Sequence, residues 1–155
     1  MNAAAALDSR VLSLPDAAAT EALGARLAAL LRPGDVVCLK GELGAGKTTL
    51  ARGAISVWAG AGEVPSPTYT LLQIYEGAKG PLWHVDLYRL RRPEEVWELG
   101  LEEGFVEAAC LIEWPERLGA SLPRDRLEVV LEAAGDGRRA VLTGYGAWSS
   151  RLDEI

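Results

Sequence analysis

Gly41-Glu42-Leu43-Gly44-Ala45-Gly46-Lys47-Thr48 carries the spacing G-x-x-x-x-G-K-[ST]. That spacing suits a loop whose backbone amides cradle phosphate groups. Glycines permit torsions closed to other residues and let the main chain approach an anion. The loop amides then form an anion-binding nest. A helix starting at the lysine adds its free N–H groups and positive dipole end. Lys47 is placed to reach the β- and γ-phosphates of a nucleotide. The Thr48 hydroxyl is placed to bind Mg²⁺, a cation that takes oxygen ligands. Thr49 follows as a second hydroxyl near the α-phosphate, or simply as a helix-start threonine.

Such a site also needs an acid that reaches the metal, placed at the end of a hydrophobic strand. Two carboxylates fit. Asp86 follows Leu82-Trp83-His84-Val85, and Glu113 follows Cys110-Leu111-Ile112. Ligands of α/β sheets bind outside the carboxyl ends of parallel strands, so either acid would share an edge with the loop. Thr68, on the stiff Ser66-Pro67-Thr68 segment, could sense the γ-phosphate through Mg²⁺, as switch segments do. Trp114 directly follows Glu113 and reads equally as a contact residue or a core cap; Trp58, Trp83, Trp97 and Trp148 read as core. His84 is the only histidine, which gives poor support to a histidine-based metal site or a Ser-His-Asp triad.

The elements that would position these groups are legible. Val11–Leu14 reads as a first strand, and Pro15-Asp16 opens a helix that ends before Pro33-Gly34. Val36–Leu39 is a buried strand leading into the loop, and the helix after Lys47 stops at Gly60-Ala61-Gly62. Prolines 65 and 67 force an extended path. Residues 70–75 and 82–88 read as an antiparallel pair across a turn at 76–81. Helical stretches follow over 93–99 and 102–107, then a buried strand over 108–113. Residues 126–132 and 139–143 form a hairpin around Gly135-Asp136-Gly137. This order gives an α/β three-layer sandwich with a mixed, mostly parallel central sheet and helices on both faces. The division is a flexible tail at 1–10, one domain over 11–147 and a C-terminal tail at 148–155.

Composition narrows the function. The 155 residues are 49% hydrophobic and 25% charged, with a net charge of −6. That acidity opposes a broad electrostatic grip on nucleic acid or an anionic membrane. No segment offers 18 uncharged apolar residues for a membrane span. Met1–Arg10 lacks the basic start of a secretory signal. Cys38 and Cys110 lie in apolar runs without C-x-x-C spacing and read as buried thiols in the cytoplasm. The guanine-reading Asn-Lys-x-Asp motif is absent, which favours ATP over GTP. From the residues alone, a small-molecule kinase with Arg89-Leu90-Arg91-Arg92-Pro93 as a short lid stays open. So does a nucleotide switch that does not hydrolyse.

The phosphate loop, Ser66-Pro67-Thr68-Tyr69, His84-Val85-Asp86-Leu87-Tyr88-Arg89, Glu98-Leu99-Gly100 and Ile112-Glu113-Trp114-Pro115-Glu116 occur in this order. Together they resemble the TsaE (formerly YjeE) family, from about Val11 to Tyr145. The resemblance implies a P-loop NTPase-like fold and an ATPase of tRNA threonylcarbamoyladenosine biosynthesis. It implies action beside the threonylcarbamoyl-transferase catalytic subunit and its pseudo-enzyme partner (the TsaD and TsaB families), which modify adenosine 37. tRNA contact would be indirect. By the same resemblance, Lys47 and the loop (Gly41, Glu42, Leu43, Gly44, Ala45, Gly46) hold phosphates, and Thr48 and Glu113 hold Mg²⁺. Asp86 is implicated in hydrolysis, and Trp114 in the site or the partner surface. Leu14-Pro15-Asp16-Ala17 and Gly137-Arg138 border the adenine. Ala17 stands where the family commonly has an acid, so only its backbone could serve. No arginine is assignable to the γ-phosphate; Arg89 is the nearest candidate.

Overall fold

The computed structural model describes residues 8–42, 44–60, 71–92 and 94–155. Its chain order is β1 (Asp8–Leu14), α1 (Ala17–Leu30), β2 (Val36–Lys40), α2 (Lys47–Ala59), β3 (Leu72–Gly77), β4 (Gly80–Asp86), α3 (Glu94–Glu98), α4 (Leu101–Glu107), β5 (Ala109–Glu113), β6 (Arg126–Ala134) and β7 (Gly137–Tyr145). The seven strands make one sheet in the order β1-β7-β6-β2-β5-β4-β3. The inner four, β6, β2, β5 and β4, run parallel, and antiparallel pairs close both ends. This is the mixed α/β sandwich that the strand and helix pattern predicts.

Strand composition follows position. β2 and β5 sit at the centre, and all of Val36–Leu39 and Ala109–Glu113 are buried. Only an apolar run satisfies a strand covered on both faces. α1 and α2 cover one face over Leu39, Leu82, Leu111 and Val129. α3 and α4 cover the other, over Cys38, Val85, Cys110 and Ile112. Burial pushes both thiols up to about 12, so Cys38 and Cys110 are inert space-fillers with no disulfide.

Local signals set the ends of the elements. Asp16 caps α1 by accepting from the Ala19 N–H at 2.8 Å. The turn expected at 76–81 is tighter: Gly77 and Gly80 already pair, because Gly80 adopts φ +121°. β1 begins at Asp8, so residues 8–10 belong to the sheet rather than to a tail. The segment expected as a C-terminal tail is packed as well. Trp148 and Leu152 are buried, the Arg151 guanidinium lies 3.8 Å from the Trp148 ring, and it bonds both Asp35 oxygens at 2.7 and 3.1 Å. Arg10 donates to the Leu152 and Ile155 carbonyls. Trp97, expected in the core, is half exposed on α3.

α1 and α2 touch backbone to backbone. A Cβ on Gly24 would lie 2.0 Å from the Leu50 carbonyl oxygen, and one on Gly53 would lie 2.1 Å from that of Glu21. In a free helix, Gly→Ala gains about 1 kcal/mol of propensity. Overpacking against an unyielding backbone costs about 1–3 kcal/mol or more and wins. Gly53→Ala is therefore expected to lower the urea midpoint at unchanged slope; a stabilised variant would show that the helices separate freely.

Candidate functional site

The parallel register brings the chemistry together. Leu39 pairs with Glu113, and Glu113 pairs with Asp86. Both predicted acids therefore stand side by side at the carboxyl ends of β5 and β4. The loop leaves β2 at the same edge. Along β4, His84 and Asp86 alternate onto one face with Leu82, towards α2.

The loop closes onto the start of α2. Gly46 caps that helix with φ +105°, a torsion that a side chain rarely adopts. No side chain caps α2, and its first turn carries no acid. The 13-residue helix thus offers its N–H groups and positive end to an anion. Lys47 is buried within the loop. Its ammonium donates to the Gly41 carbonyl and, at 3.1 Å, to that of Glu42. It also lies 3.9 Å from the centre of the Trp114 ring. Burial lowers the Lys47 pKa, against the upward pull of Glu113.

Thr48, Glu113 and His84 form a compact polar cluster. The Thr48 hydroxyl lies 3.2 and 3.4 Å from the two Glu113 oxygens. His84 Nε2 sits 2.7 Å from Glu113 Oε2. Glu113 is only 2% exposed and His84 1%. Asp86 accepts from the Tyr88 N–H at 3.0 Å. Burial raises the Asp86 pKa, and the neighbouring Glu113 charge adds to this. Trp114 has φ +61°, the only positive value for a non-glycine among the described residues. Such backbone strain costs about 1–2 kcal/mol. It turns the indole over Lys47 and against Tyr88, with ring centres 5.1 Å apart. Trp114 is thus a partly buried roof over the lysine, touching both the site and the α3/α4-side core.

A second feature flanks the loop. A cavity of about 190 Å³ is lined by residues including Ala17, Gly46, Thr49, Asp136, Gly137 and Arg138. The β6–β7 hairpin closes on the β1–α1 link so tightly that a Gly137 Cβ would sit 2.6 Å from the Leu14 carbonyl oxygen. Arg138 donates to the Ala45 and Gly44 carbonyls, each at 3.1 Å. The cavity brings Ala17 and the Gly137-Arg138 hairpin together with Thr49, and Arg138 also clamps the loop. Thr68 and Leu43 lie outside the described residues. A lone histidine signals no ligand set; the position of His84 two residues before Asp86 on one strand face is the signal that brings it here.

The donor set fits Mg²⁺: a hydroxyl and a carboxylate, oxygen only, held within hydrogen-bond distance. Among the described residues no cluster of three or more His, Cys, Asp or Glu could hold a metal by itself. Any cation here would need further oxygens from water or a ligand beside it.

A family model described as "Threonylcarbamoyl adenosine biosynthesis protein TsaE" matches residues 14–141. The chain belongs to the TsaE family. Its relatives include the TsaE protein of Bacillus subtilis (strain 168), 40% identical over 123 residues, which covers 79% of this chain and 77% of that one. The TsaE protein of Streptomyces coelicolor is 42% identical over 132 residues, covering 80% and 89%. The crystal structure of Bacillus subtilis YdiB superposes with a TM-score of 0.80 at 32% identity, covering 96% of this chain and 93% of that one. The TsaE family is one of tRNA threonylcarbamoyladenosine biosynthesis.

Asp86 gives a check on the electrostatics. Its folded pKa lies above the unfolded value, so the folded protein holds that proton more tightly. Stability from this group is present at low pH and is lost as pH rises through the carboxylate range to the raised value. Asp86→Asn keeps an oxygen for the Tyr88 N–H and removes the charge. It should raise the thermal midpoint at pH 7, with the gain shrinking towards about pH 4. A pH-independent difference would contradict the assigned cause.

Proposed function

We propose that this TsaE-family chain binds ATP with Mg²⁺ at the loop and hydrolyses it slowly. Through this it would support repeated rounds of threonylcarbamoyl transfer to adenosine 37 of tRNA. The observation that carries the reading is the convergence of Lys47, Thr48 and Glu113 at one sheet edge, beside the uncapped start of α2.

Each residue has a task. The loop amides and Lys47 hold the phosphates, the lysine exchanging the Gly41 and Glu42 carbonyls for phosphate oxygens. Thr48 and Glu113 hold Mg²⁺, whose remaining ligands come from the nucleotide and water. The cation supplies charge neutralisation at the phosphates. Asp86, half-buried beside Glu113 with a raised pKa, is suited to orient the attacking water and accept its proton. The cavity at Ala17 and Gly137 takes the base. Thr68 would sense the γ-phosphate.

Slow turnover by the isolated chain follows from charge accounting. Phosphoryl transfer to water is commonly completed by an arginine, which adds about 10³–10⁵-fold. Arg138 is engaged by the Gly44 and Ala45 carbonyls. Arg89 lies next to Tyr88, whose ring packs on Trp114 at the rim. We infer that the TsaD- and TsaB-family proteins complete the site on binding, and that this chain meets tRNA only through them. The reading places the chain in the cytoplasm with its tRNA. No described helix is long and apolar enough to cross a membrane.

Reconstituted tRNA modification with the two partner proteins tests the proposal. Lys47→Ala should abolish ATP binding and multiple-turnover modification. Glu113→Ala and Asp86→Ala should still bind nucleotide yet lose multiple turnover. Normal modification by these two acid variants would favour a switch that does not hydrolyse. An acceptor phosphorylated from ATP would favour a kinase.

ATP hydrolysis should rise at least tenfold when both partners are added. Equal rates with and without them would overturn the completion of the site by partners.

A further inference from the structure

His84 lies in the cluster but has no role in the proposal above. Its ring is 1% exposed, and its Nε2 is 2.7 Å from Glu113 Oε2. A carboxylate acting as the metal acid of the proposal above only accepts hydrogen bonds, which assigns a ring hydrogen to Nε2. Nδ1 is buried with no hydrogen-bond partner among the described residues. Among the described residues the imidazole is thus anchored through a single polar contact, and that contact is to Glu113.

The geometry divides the labour of the carboxylate. Oε2 receives His84, while Oε1 is the oxygen nearer the Thr48 hydroxyl, at 3.2 Å against 3.4 Å. A glutamate has three torsions, and a carboxylate held only by Thr48 would sample several of them. The bond from β4 across to β5 fixes one. It leaves Oε1 3.2 Å from the Thr48 hydroxyl.

We propose that His84 is the positioning residue of the Mg²⁺ site: its Nε2–H fixes the Glu113 carboxylate so that Oε1 and Thr48 meet the cation. This rests on the Mg²⁺–ATP reading. Outer-shell partners of this kind typically change metal affinity by about 10–100-fold when removed.

The test measures binding rather than turnover. A fluorescent ATP analogue is titrated onto tag-free protein, first in EDTA and then against Mg²⁺. Asn places its amide near the Nδ1 position and loses the donor to Glu113; Gln extends its amide to about the Nε2 position and keeps it. His84→Asn should bind the analogue normally in EDTA but need about tenfold more Mg²⁺ for half-saturation. His84→Gln should return to within about threefold of the unaltered chain.

Because His84 is the only histidine in the chain, its ring nitrogens are assignable in a long-range ¹H–¹⁵N spectrum of the unaltered protein. They should report the hydrogen on Nε2, and Mg²⁺ added to the nucleotide-bound protein should shift the Nε2 signal. Unchanged Mg²⁺ demand in His84→Asn, equal defects in both variants, or a ring hydrogen on Nδ1 would each overturn the proposal. If nucleotide binding by the unaltered chain ignores Mg²⁺, the parent reading falls, and this inference with it. A Mg²⁺-dependent chain indifferent to His84→Asn sinks the inference alone.

Discussion

A carboxylate buried to 2% exposure has to be satisfied, and the Glu113 carboxylate governs much of this structure. Taking an unpaired charge out of water costs several kcal/mol. Here the cost is offset by a hydroxyl from α2 and a ring nitrogen from β4. Satisfying one acid therefore ties together the helix after the loop, the central strand and its neighbour. The parallel register of β2, β5 and β4 makes this possible, since it puts all three carboxyl ends at one edge. A one-residue slip would turn Glu113 to the opposite face, into the core of Cys38, Val85 and Ile112.

Strain and charge crowding gather at the same place. Trp114 is held in a left-handed torsion, Asp86 is partly desolvated beside a second acid, and Lys47 is buried among carbonyls and an indole. Each lowers the stability of the fold. Elsewhere the protein is conventional: apolar central strands, a capped first helix and tight hairpins. Strained and desolvated groups of this kind cluster at functional sites, and here they gather where the phosphate-loop spacing lies.

Much of this was legible in the sequence because strong local signals coincide with it. The glycine spacing of the loop, the apolar run ending on Glu113 and the Gly135-Asp136-Gly137 turn each report a local backbone demand. What escaped reading depends on distant partners. Nothing near Trp148 announces that Arg10 and Asp35 will hold the C-terminal residues down. Nothing near Arg138 announces two loop carbonyls over ninety residues away. A lone histidine suggests no ligand set, and the meaning of His84 depends on a strand pairing that local pattern does not determine. Hydrophobicity alone places Trp97 in the core, whereas the short α3 turns it outward.

The bare backbones of Gly24 and Gly53 bear on the cleft from a distance. Helices separated by large side chains can slide as those side chains change rotamer. Helices in main-chain contact have no such slack. The start of α1, with Ala17, and the start of α2, with Thr49, are therefore packed as one unit along the cavity they both line. The width of the cavity between them is set by that main-chain contact and not by side-chain rotamers.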